Sequence, residues 1–129
     1  MRRHLSILLT LLLISLTLSA CADKSSAPES IENYLKTKVK GDADKLASLS
    51  CKEYEAQALL DAASFESVNA RIDKLTCKET GKQDKFTLIS CEGTLVIQYR
   101  GEDPREQNLS GTTYLAIKED DEWKMCGQQ

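Results

Sequence analysis

Four cysteines, Cys51, Cys77, Cys91 and Cys126, restrict the folds open to this chain more than any other feature. Their gaps of 26, 14 and 35 residues lack the short C-x-x-C clustering of zinc sites, and the single histidine, His4, stands far from them in sequence. An even number of cysteines in a small exported domain reads as two disulfides. The other reading of the same residues is four free, buried thiols. Four half-cystines allow three pairings, and the strand pattern selects among them.

Residues 70–79 predict a first strand. Residues 85–99 predict a long second one, with Ile89, Cys91, Leu95, Ile97 and Tyr99 on one face. Residues 112–118 and 122–127 predict a third and a fourth. Turn residues separate them: Gly81-Lys82-Gln83-Asp84, the stretch from Gly101 to Gly111, and Asp120-Asp121. In an antiparallel meander, a turn near residue 84 sets Cys77 opposite Cys91. A turn at Asp120-Asp121 sets Cys126 opposite about Leu115, which in turn faces about Leu95. At roughly 4.8 Å per strand and 3.3 Å per residue, Cys126 then lies about 16 Å from Cys91. A disulfide tolerates Cα separations up to roughly 7 Å. Cys77–Cys126 is farther still. The pairing left is Cys77–Cys91 with Cys51–Cys126, the second joining a helix end to the last strand.

Arg2 and Arg3 precede an apolar run of 14 residues, Leu5 to Leu18, interrupted only by Ser and Thr. It is too short to span a bilayer comfortably and suits the h-region of a signal peptide. It ends in Leu18-Ser19-Ala20-Cys21, which resembles the lipobox of bacterial lipoproteins: an apolar residue, two small ones, then the obligatory cysteine. The resemblance implies cleavage before Cys21, acylation of its thiol, and anchoring on the extracytoplasmic side of a bacterial membrane. Ala22, where Asp would favour retention at the inner membrane, implies the outer membrane in a cell that has one. An ordinary secretory peptide and an uncleaved anchor are the other readings. The chain then divides into a signal peptide (1–20), a tether (21–28) and a single α+β domain (29–129). Each buried CH₂ of an acyl chain contributes about 0.8 kcal/mol, so two or three chains hold the protein to the membrane durably. Removing 20 of the 129 residues leaves 109, with 15 basic against 20 acidic side chains and no histidine. That acidic balance opposes nucleic-acid binding, which needs a basic face.

Ser26 and Glu29 have capping-box spacing, with Pro28 in the first turn; Ile31, Tyr34, Leu35 and Val39 recur at helical period until Gly41. Asp42 or Asp44 opens a second, short helix with Leu46, Ala47 and Leu49 inward. Residues 52–68 predict a third, with Tyr54, Ala58, Leu59, Ala62 and Phe65 as its apolar stripe. Helices followed by strands indicate an α+β fold, with the N-terminal helices packed on a bent four-stranded antiparallel meander closed by two disulfides. The blocks Pro28–Lys36, Gly41–Leu46 and Glu122–Gly127, behind a lipobox, resemble lipoproteins of the nuclear-transport-factor-2-like superfamily. That resemblance implies a cystatin-like cone, a bent sheet wrapped around helices. The chain has no room for the hairpin usual between the second and third helices, which implies a shallow cone.

Candidate catalytic residues are none. After cleavage no histidine remains as a base near neutral pH, and no G-x-S-x-G, P-loop or dinucleotide fingerprint is present. No cofactor and no metal site is expected. Glu119-Asp120-Asp121-Glu122 reads as a solvated hairpin turn, and Gly101–Glu106 as a polar connection between strands. Asn108-Leu109-Ser110 matches a glycosylation sequon, which in a bacterial lipoprotein reads as chance. Of seven aromatic residues, Tyr34, Phe65, Tyr99 and Trp123 are the candidates for a pocket or its rim; ordinary core packing is the competing reading. The expected role is non-catalytic: binding a small apolar molecule or an envelope protein. The alternatives are a small hydrolase- or isomerase-like enzyme using a carboxylate, and a structural or inhibitory module. The leader makes a direct prediction. Mass spectrometry of native protein will find a chain beginning at an acylated Cys21, and Cys21→Ser will leave an unacylated, uncleaved precursor.

Overall fold

A computed structural model of the chain describes residues 24–129; the leader and Cys21 lie outside the described residues. Ser26 starts the first helix, α1 (Ala27–Lys38). Its hydroxyl accepts the Glu29 N–H, and the Glu29 carboxylate accepts the Ser26 N–H at 2.8 Å, completing the capping box. Ala27 is buried in the core, so the domain begins inside the expected tether. Lys36 and Lys38 sit in the last turn, where positive charge opposes the helix dipole favourably. Ile31, Tyr34 and Leu35 face inward. Gly41 (φ +66°) turns the chain, and a Cβ there would meet the Glu66 backbone at 3.3 Å. Asp42 then caps α2 (Ala43–Ser48) by accepting the Lys45 N–H at 3.0 Å.

The third helix departs from expectation. Residues 52–68 are not one helix but a 3₁₀ turn (Lys52–Tyr54), then α3 (Glu55–Ala63), then an irregular exit. The cause lies just upstream. The Leu49 carbonyl accepts the Met125 N–H, and the Cys51 N–H donates to the Met125 carbonyl, an isolated parallel bridge at Ser50. The Lys52 N–H donates to the Glu119 carboxylate. The chain is thus held against the last strand until Tyr54 and can coil freely only afterwards. The buried stripe of α3 is Ala58, Asp61, Ala62 and then Phe65. Leu59, expected inward, is 48% exposed, and Leu60 beside it 64%.

One antiparallel sheet of five strands follows: β1 (Asn69–Gln83), β2 (Phe86–Gln98), β3 (Arg105–Asn108), β4 (Thr113–Glu119) and β5 (Glu122–Gln128). Four were expected, because Arg-Glu-Gln-Asn has no apolar alternation; every residue of β3 is exposed. Among the described residues the helices come before the strands, the first of them beginning at Ala27. β2 carries β1 along one edge and two strands along the other. β4 pairs with residues 87–90 and β3 with residues 94–97. Because β3 occupies the far half of that edge, Leu115 faces Leu88 and not Leu95. α1 crosses the sheet, touching β1, β2, β4 and β5.

β1 is bulged where Lys74 (φ +54°) and Leu75 oppose the single residue Gly93. Gly93 has φ +144°, and a Cβ there would lie 3.1 Å from the Asp73 carbonyl oxygen, so only glycine fits the bend. A second irregularity falls between Glu79 and Gly81. At Cys77 the N–H that points away from β2 donates to the Glu32 carboxylate of α1 at 3.0 Å. The β4–β5 turn at Asp120 and Asp121 has positive φ at both residues, the two-residue geometry that matches strand twist.

Cys77 pairs with Cys91 directly across β1 and β2, with Cα atoms 4.1 Å apart; Cys51 pairs with Cys126, Cα atoms 5.2 Å apart. These are the pairs the elimination leaves, although its β4 register was displaced. Cys126 is the extra residue of a bulge between Met125 and Gly127. The bridges close loops of 75 and 14 residues. The chain-entropy relation gives about 4.5 kcal/mol for the longer and about 3 kcal/mol for the shorter. Urea unfolding of the Cys51→Ala/Cys126→Ala protein will therefore show the greater loss, by about 1.5 kcal/mol, than that of the Cys77→Ala/Cys91→Ala protein.

Candidate functional site

A cavity of about 280 Å³ lies between the C-terminal ends of α1 and α3 and the bent sheet. One wall is apolar, made by Leu35 from α1, Phe65 after α3, Ile72 from β1, and Leu95 and Ile97 from β2, and polar side chains make up most of the rest. The fork in β2's edge makes the remaining wall. Leaving β3, the chain donates the Leu109 N–H to the Gly93 carbonyl at 3.0 Å and buries Leu109 before entering β4. Gln107, Asn108 and Thr112 line the mouth.

One carboxylate faces this space. Asp61 is 8% exposed and belongs to the inward stripe of α3. Its Oδ2 accepts the Tyr34 O–H at 2.8 Å and lies 3.1 Å from the Lys38 Nζ; its Oδ1 accepts the Gln57 amide at 3.1 Å. A buried carboxylate needs this many donors. The same arrangement governs Tyr34, which is fully buried with its ring 6.2 Å from that of Tyr54. Burial, and the hydrogen bond given to Asp61, push the Tyr34 phenol well above the ordinary tyrosine range. Burial likewise raises Tyr54 to about 12 and raises Tyr114. All three keep their protons near neutral pH. Tyr34 therefore holds Asp61 in place and is not poised to give up its proton, and Asp61 has three donors competing for the lone pairs a base would use.

The four aromatic residues singled out from sequence do not come together. Tyr34 is in the core behind Asp61, Phe65 lines the cavity, and Tyr99 is 42% exposed beside Arg105, whose guanidinium lies 5.5 Å from its ring. Trp123 is half-buried in a separate groove with Lys24, Lys45 and Lys124. Asp61 and Lys38 escaped sequence reasoning. Their signal, an Asp in phase with Ala58 and Ala62, is visible only once Leu59 is placed outside. Three of the acidic quartet have partners: Glu119 accepts the Lys52 N–H, Asp121 pairs with Lys24 and Lys118, and Glu122 pairs with Lys124, whose hydrogen bond and charge hold the Glu122 carboxyl below its usual range. No group of residues able to hold a metal ion occurs among the described residues.

The geometry defines a small, doubly disulfide-bonded α+β domain with a cavity of mixed polar and apolar lining under a bent sheet. No family model matches the sequence, and no curated protein does. Among solved structures the chain is similar to the solution structure of a SEC-C motif containing protein from Rhodopseudomonas palustris. The identity is 13% and the TM-score 0.54, covering 82% of this chain and 80% of that one. At that identity the likeness shows a shared fold. No helix among the described residues is long and apolar enough to cross a membrane.

Two outcomes follow. Tyr34→Phe, which removes one donor from a buried carboxylate, will lower stability by about 1–3 kcal/mol in urea unfolding. In alkali, tyrosines of the unfolded chain ionise near 10, whereas Tyr54 in the folded chain does so near 12. The unfolded state thus loses protons that the native state keeps, so stability will fall as pH rises from about 10. Circular dichroism at increasing pH, against tyrosine absorbance, measures it.

Proposed function

We propose that this chain is an extracytoplasmic, lipid-anchored binding domain, held to a bacterial membrane through Cys21, whose cavity receives one small, largely apolar molecule. The observation that carries the reading is the cavity itself: an apolar wall of Leu35, Phe65, Ile72, Leu95 and Ile97, with its one carboxylate held by Tyr34, Gln57 and Lys38. Ligand sites have this composition, apolar walls with a few placed polar groups. The lipobox and the two disulfides support the location, since disulfides persist in oxidising compartments. The likeness to nuclear-transport-factor-2-like lipoproteins is part of this reading and rests on the sequence blocks alone. A carboxylate-based enzyme is the second reading, favoured by Asp61 at the cavity wall and opposed by the donors that occupy it.

The test uses the mature chain, residues 21–129, with Cys21→Ser so that no acyl chain competes, exported behind an ordinary cleavable leader. Toluene will shift the methyl signals of Leu95, Ile97 and Leu109. Leu95→Trp, which fills the space, will abolish those shifts without unfolding the protein. Shifts scattered over the surface, or unchanged in Leu95→Trp, sink the reading.

A further inference from the structure

The two ionised side chains that line the cavity define more than its existence. Lys38 Nζ and Asp61 Oδ2 are 3.1 Å apart, with side chains 21% and 11% exposed. Together they carry no net charge. A carboxylate ligand drawn to Lys38 would meet the Asp61 carboxylate, and an ammonium drawn to Asp61 would meet Lys38. Neither head could recover the hydration it lost on entry, because each charge in the wall is already spent on the other. Hydrogen-bonding capacity nevertheless remains. An ammonium has three donors, and Asp61 is the one partner Lys38 finds among the described residues. A carboxylate has about four lone-pair sites, and three donors reach this one. A donor and an acceptor are therefore left side by side in the lining, beside the apolar wall of Leu35, Phe65, Ile72, Leu95 and Ile97.

We propose that the cavity selects uncharged amphiphiles whose polar end both donates and accepts a hydrogen bond, a medium-chain alcohol being the simplest, with Lys38 and Asp61 reading that end. This rests on the binding role proposed above and names the ligand class for the same site. The volume sets the chain length. At roughly 30 Å³ for a water-sized group, a cavity of about 280 Å³ has room for roughly nine heavy atoms, the size of 1-octanol.

The experiment compares 1-octanol, octanoate and octylammonium at neutral pH by calorimetry, on the same residues 21–129 with Cys21→Ser. Octanol will bind roughly tenfold more tightly than either ion. Asp61→Asn keeps an acceptor for Tyr34 but makes the wall cationic, so octanoate will gain roughly tenfold over the parent protein. Lys38→Met makes the wall anionic, and octylammonium will gain instead. Should Asp61→Asn fail to fold, the Lys38→Met result decides, since Lys38 is the more exposed of the pair. Equal or tighter binding of either ion by the parent protein overturns the selectivity while leaving a binding cavity. An unchanged ranking in the folded variants removes Lys38 and Asp61 from recognition. Binding of none of the three, with no response to toluene, takes the binding role away as well.

Discussion

A buried carboxylate organises the half of this domain where the cavity lies. Asp61 sits on α3, yet two of its three donors, Tyr34 and Lys38, come from α1, one turn apart. The three groups clamp the C-terminal ends of the two helices at a fixed spacing. The sheet cannot close the gap that this spacing leaves, because β2's edge is shared between β3 and β4 and the strand bends at Gly93. The cavity is thus what remains between a helix pair held by polar contacts and a sheet bent by its own backbone. An apolar residue at position 61 would invite collapse; an ionised one, once satisfied, holds the helices at the distance its donors dictate.

The other half is held by covalent and backbone links. Leu49 to Cys51 pairs with Met125 through two main-chain hydrogen bonds, and the Cys51–Cys126 bridge lies beside them. This segment explains why the third helix starts late. The hydrophobic core runs from Ile31 and Leu46 to Ile89 and Met125, and two cross-links reinforce it.

Legibility in the sequence followed the range of the interactions. Caps are local, so Ser26, Glu29, Gly41 and Asp42 gave up the first two helices directly. Alternation is local too, and the four longer strands were readable within a few residues. β3 was not, because an exposed strand of Arg-Glu-Gln-Asn is recognised only by the edge it joins. The β4 register erred for the same reason: an unseen strand had taken the far half of β2. The phase of α3 failed because the sequence offers Leu59 as an inward residue, while the structure buries Asp61 with partners on another helix. The site was therefore hidden in long-range polar pairing, whereas the aromatic residues that drew notice were dispersed among the core, the cavity and a separate groove.

The outer margin of β1 has a consequence for encounters between copies of this domain. Fifteen residues of strand present a row of backbone donors and acceptors that a neighbouring molecule could extend into a continuous ribbon. Two irregularities break the row's rhythm, Glu32 occupies the Cys77 donor, and Lys74, Lys78 and Lys82 place positive charge along it. An interrupted, charged margin lets copies collide without polymerising.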